Sequence, residues 1–99
     1  MKTTICALTV GFGLAACAAT PPIQEMSDAR QAISAAETVD AQSLAAETLT
    51  EAGLLLTSAE RNLKIRAYAA ARRDALLAKE YAIRARDEAE AAGPDASRD

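Results

Sequence analysis

The chain has 99 residues, room for one small domain. It carries two cysteines, no histidine, no tryptophan and a net charge of −3. That removes the nucleophile–base pairs of hydrolases and thiol enzymes, histidine-bound metal centres and the strong positive field of nucleic-acid binding. Hydrophobic residues make up 51% of the chain, but much of this is alanine, whose burial removes little surface from water.

Met1-Lys2 supplies a short positive start, and residues 5–16 then form an apolar run interrupted only by Thr9 and two glycines. The run has the length of a signal-peptide core and falls short of the ~20 residues a membrane-spanning helix needs. It ends in Leu14-Ala15-Ala16-Cys17, which resembles the lipobox of bacterial lipoproteins. The resemblance implies that the Cys17 thiol receives a diacylglyceryl group, that residues 1–16 are cleaved as a signal peptide, and that the new terminal amine is acylated as well, palmitate being the usual kind of chain. Several acyl chains anchor stably, because each buried CH₂ contributes about 0.8 kcal/mol and a single chain is marginal. With Cys6 removed and the Cys17 sulfur lipidated, the mature chain has no disulfide to form. The residue after the cysteine is Ala18 rather than aspartate. By analogy with enterobacterial sorting, that points to the periplasmic face of the outer membrane.

Residues 17–24 are expected to be a lipidated tether, of which 18–24 reach roughly 20 Å at ~3.3 Å per extended residue. Pro21-Pro22 stiffens it, and Thr20 is a capping candidate for the helix that follows. Met26, Ala29, Ile33 and Ala36, flanked by Ala32 and Val39, recur at helical spacing. This first helix is expected to end near Asp40 and Ser43, both natural caps for the next. The second pattern is Ala45, Leu49, Ala52, Leu56, Ala59 and Leu63, widened by Leu55 and weakened at Gly53 by about 1 kcal/mol. The third is almost pure alanine: Ala71, Ala75, Ala78, Ala82, Ala85, Ala89 and Ala92. Such a seam lets another helix approach to the low end of the 8–10 Å range. Gly93-Pro94 stops it, leaving residues 93–99 as an expected disordered tail.

Local propensity permits one rod over residues 44–92, since neither glycine nor proline lies between Leu54 and Ala92. The apolar register, however, changes at Lys64-Ile65-Arg66, because heptad steps from Leu56 and Leu63 lead to Ala70 and Leu77 and miss the alanine seam. This favours a turn over residues 64–67. The fold expected is therefore all-α: a short antiparallel bundle of three helices over residues 25–92, the second and third forming a hairpin. Charge favours that folding weakly. Glu25, Asp28, Glu37, Asp40, Glu47, Glu51 and Glu60 oppose Arg30 alone in the first part. Arg61, Lys64, Arg66, Arg72, Arg73, Lys79, Arg84 and Arg86 then dominate. Exposed pairs contribute only about 0–1 kcal/mol each, and local i,i+4 support such as Glu60–Lys64 and Glu80–Arg84 accounts for many of these charges.

Two stretches, PPIQEMSDARQAISAAE and SLAAETLTEAGLLLTSAERNLKIRAYAAARRDALLAKEYA, resemble an uncharacterised family of small bacterial envelope lipoproteins. The shared features are Pro-Pro before a first helix, Ala29-Arg30 with Ala32-Ile33 and Ala36-Glu37, and a helix pair whose turn precedes Tyr68 and Ala71-Arg72. The resemblance implies an Ala-rich helical domain of unknown function, sometimes joined to a peptidoglycan-binding domain. In that family the turn usually contains glycine or aspartate, where this chain has Lys64-Ile65-Arg66-Ala67.

No catalytic constellation emerges. Asp87, Glu88 and Glu90 crowd one helix end but point in different directions, and Tyr68 and Tyr81 suit packing at a helix seam. The expected function is that of a non-enzymatic structural or adaptor lipoprotein acting through helix–helix association. Ile65, Leu76 and Ile83 lie away from the alanine seam and are the candidate contacts for an envelope protein or a second copy of the chain. The alternative is a module that binds peptidoglycan or anionic lipid through Arg72, Arg73 and Lys79. No cofactor is expected beyond the covalent lipid on Cys17, no metal, and no nucleic acid; the membrane is a partner through the anchor.

Overall fold

Two residues with left-handed backbone, Asp40 (φ 63°) and Arg66 (φ 64°), mark where the helices are cut. The computed structural model describes residues 20–93. The expected signal peptide, Cys17 and all of the expected tail but Gly93 lie outside the described residues. Within them the regular structure is all helix: α1 (Ile23–Thr38), α2 (Ala41–Leu44), α3 (Ala46–Lys64) and α4 (Tyr68–Ala92).

The sequence reading expected three helices, and α2 is the addition. It is a single turn between the first two long helices, closed by the Asp40 carbonyl accepting from the Ser43 and Leu44 amides at 3.0 Å each. Ala45 (φ −144°) then breaks the path before α3. The expected caps are placed differently too. Asp40 precedes α2 but makes no side-chain capping bond, Ser43 lies inside that turn, and α3 starts after Ala45. Thr20 is not the cap of α1 either. Pro22 stands at that position, buried, with its carbonyl accepting from the Met26 amide at 3.1 Å.

The break between α3 and α4 falls where the apolar register shifts. The Ala67 amide reaches back to the Asn62 carbonyl at 2.8 Å, and the Arg66 amide to Leu63 at 3.0 Å. This pair of bonds is a Schellman closure, with arginine in the left-handed position that glycine normally takes. An L-residue there costs roughly 1–2 kcal/mol. The turn therefore forms over Ile65-Arg66-Ala67 without a glycine, and the single-rod alternative is not what the chain adopts.

Ser58 meets Asp74 and Thr48 meets Glu88, so α3 and α4 run antiparallel. Met26 packs with Ala59, Leu63 and Ala75, while Ala36 packs with Ala41, Ala45, Ala85 and Ala89. α1 is thus antiparallel to α3 and parallel to α4, and α4 is the member that packs most extensively on both others. The core is alanine. Ala71, Ala75, Ala78, Ala82 and Ala85 are fully buried and Ala89 nearly so, as the four–three spacing predicts; only Ala92 of that series is exposed. Met26 and Pro22 are the largest fully buried side chains. The leucines of the α3 stripe, Leu49, Leu56 and Leu63, are half-buried.

Gly93 does not cap α4 through a left-handed turn, since its backbone is extended (φ −77°, ψ 177°). Its use is close approach: a Cβ there would stand 3.2 Å from the Ala89 carbonyl oxygen and 3.7 Å from Leu44 Cδ1. The one-turn helix α2 can therefore lie against the end of α4.

Candidate functional site

On α4 the alanine seam turns inward, which carries Leu76 and Ile83 to the outside. They are seven residues apart, so they lie on one face, separated by about 10 Å at 1.5 Å rise per residue. Leu76 is 46% and Ile83 45% exposed. Ala69, one heptad earlier and also exposed, extends the same stripe. Ile65 does not belong to it. It sits in the α3–α4 turn, 69% exposed, at the end of the bundle where α1 begins. The three apolar residues singled out from sequence thus occupy two places: a helical stripe and a bundle end. Ile23, Leu44 and Leu54 are exposed as well.

The three basic residues differ in their surroundings. Arg72 is committed within the molecule: its Nε donates to Glu25 Oε2 at 3.3 Å and its Nη2 to the Thr20 carbonyl at 2.9 Å. The long side chain thereby clasps the segment leading into α1 onto the first turns of α4. Arg73 points elsewhere, largely exposed, with Nη2 3.5 Å from Asp74 Oδ1. Lys79 is half-buried. Arg72 and Lys79 are a heptad apart on α4, and Arg72 is already engaged within the molecule.

Sequence reasoning missed Asp74. It is the buried charged residue among those described, and its Oδ2 accepts from Ser58 Oγ at 2.6 Å and Asn62 Nδ2 at 3.0 Å. Two donors on one oxygen, from successive turns of α3, make this carboxylate a register pin between the hairpin arms. The available signal was its position three residues after Ala71 and four before Ala78, inside the alanine stripe. Arg30 meets Glu60 at 3.2 Å across α1 and α3, so Glu60 is engaged there, not with Lys64. Arg84 lies 4.7 Å over the Tyr81 ring, a cation–π contact where an ion pair to Glu80 was expected.

Among the described residues no group of three or more histidine, cysteine or acidic side chains is placed to hold a metal ion, and no helix is long and apolar enough to cross a membrane. A shallow, open depression beside the start of α3 is lined by Ala46, Glu47, Thr50 and Glu51, which offers no enclosure in which a carboxylate would be desolvated. Comparison with protein-family models, curated proteins and solved structures finds no match.

Proposed function

We propose that the mature chain is a lipid-anchored lipoprotein of the bacterial envelope, held at the periplasmic face of the outer membrane, that works without catalysis as a structural or adaptor protein. Its working unit is the antiparallel bundle of three long helices, with α2 as a connector. Its partner is another envelope protein or a second copy, met helix to helix along Leu76 and Ile83.

The observation that carries the reading is the exposure of these two large aliphatics, a heptad apart, on a helix whose other face is already filled with alanine. A heptad repeat is the spacing with which one helix packs along another. Burying the exposed halves of both side chains contributes about 2 kcal/mol, too little for a stable complex in dilute solution. Anchoring on a shared surface raises the effective concentration of the two partners and makes so small a contact sufficient. The lipobox resemblance at Cys17 supplies that anchor, and the likeness to envelope lipoproteins rests on the quoted residues alone.

Cross-linking in intact cells tests the reading. The wild-type chain is expected to give a discrete adduct that is lost with Leu76→Glu combined with Ile83→Glu, while circular dichroism stays helical. A monomer without adduct in both forms removes the proposal.

A further inference from the structure

Resting on the acylation of Cys17, we infer that the bundle docks end-on, placing the α3–α4 turn on a phospholipid surface that carries anionic headgroups. Ile23 and Ile65 enter the headgroup layer, and Lys64 and Arg66 meet phosphate.

Distance comes first. Arg72 holds the Thr20 carbonyl at 2.9 Å, so the free tether ends there. Only two residues, Ala18 and Ala19, lie between Cys17 and Thr20, and the three steps span at most about 11 Å. The headgroup layer on each side of a bilayer is itself roughly 5–7 Å thick. An acyl group on Cys17 therefore draws this end of the bundle to the headgroups and leaves no room for a long stalk.

The same end carries the two most exposed large hydrophobic residues of the described chain, Ile65 at 69% and Ile23 at 64%. Singly exposed aliphatics are ordinary on a protein surface. Two at the point where the lipid tether meets the fold have an apolar layer within reach. Charge agrees in sign. Arg61, Lys64 and Arg66 are all exposed at this end, while Glu25 and Asp74 are turned inward onto Arg72, Ser58 and Asn62, Glu60 is paired with Arg30, and Asp28 accepts from Gln24. The opposite end shows Glu37, Asp40, Glu47 and Glu51, which an anionic surface repels. Each base at such a surface shifts the docking equilibrium about fivefold, within a Debye length of roughly 8 Å.

The test uses the full acylated chain, its lipidation verified by mass, in vesicles containing phosphatidylglycerol. Nitroxide labels are placed through Ile65→Cys or, at the far end, Ser43→Cys. The label at 65 is expected to be relaxed by oxygen and shielded from an aqueous nickel chelate, and the label at 43 to show the reverse. Adding Lys64→Gln and Arg66→Gln is expected to shift the docked population about thirtyfold towards the undocked state. An acylated chain whose two labels are equally open to the chelate overturns the docking alone. Equal shielding on phosphatidylcholine vesicles overturns the anionic-surface claim. A chain without lipid overturns the proposed function, and the docking with it.

Discussion

Around the α3–α4 turn the packing of Met26, Ala59 and Ala75 is joined by polar groups with assigned partners, whereas at the opposite end the helices are held by alanine. The first end has the Asp74 pin to Ser58 and Asn62, the Arg72 clasp on Glu25 and Thr20, and the Schellman closure at Arg66. The second has Ala36, Ala41, Ala45, Ala85 and Ala89 packed together, with Val39 and Leu49 against them and the Thr48–Glu88 hydrogen bond at the surface. The two also differ in charge. Arg30, Arg61, Lys64, Arg66, Arg72 and Arg73 exceed Glu25, Asp28, Glu60 and Asp74 in the turn-side half. In the other half Lys79, Arg84 and Arg86 are outnumbered by Glu37, Asp40, Glu47, Glu51, Glu80, Asp87, Glu88 and Glu90. Alanine seams permit close approach but discriminate poorly between registers, since each step along the helix presents another methyl group. A few directional bonds at one end remove that degeneracy for the whole hairpin.

The sharpest way to break the contrast is to enlarge a methyl at the alanine end. Ala85→Leu inserts three carbons at a fully buried position and is expected to destabilise by about 3 kcal/mol in urea unfolding. A change below about 1 kcal/mol would mean that the far end yields and is not close-packed. Next comes the polar end. Asp74→Ala leaves the Ser58 hydroxyl and the Asn62 amide without their acceptor, at an expected cost of about 2 kcal/mol. If the pin sets register, the variant also loses the dispersion of side-chain signals in NMR spectra while keeping its helicity. The smallest effects compare the two left-handed residues. Arg66→Gly is expected to stabilise by about 1 kcal/mol, and Asp40→Gly by about half that, because aspartate tolerates the left-handed region better than arginine. Equal gains would show that neither turn depends on side-chain identity.

Much of the long-helix pattern was legible because alanine at alternating four- and three-residue spacing has only one face to fill. The seam from Ala71 to Ala89 is buried as read, and so are Met26, Ala29 and Ala36 in α1. The α3–α4 turn was visible as a register change, although not as a left-handed arginine, since nothing about Arg66 or its neighbours announces that conformation. α2 was invisible because a single turn has no period. Asp74 was passed over because a carboxylate beside Arg72 and Arg73 looks like one more solvated charge. Only the partner helix shows that it sits inside the stripe. The Arg72 clasp joins positions 52 and 47 residues apart, a pairing that local pattern cannot contain. Leu76 and Ile83 were legible as residues left outside the seam. Ile65 was grouped with them because it too lies away from the alanine seam, and its place in the turn sets it apart from the α4 stripe.

The account depends most on the thiol of Cys17. The direct measurement is the intact mass of the mature protein extracted from envelopes with detergent, together with fragmentation of its first peptide. The expected result is a chain beginning at Cys17, carrying a diacylglyceryl thioether and a further acyl group on its amine. A chain that retains residues 1–16 with a free thiol contradicts the account.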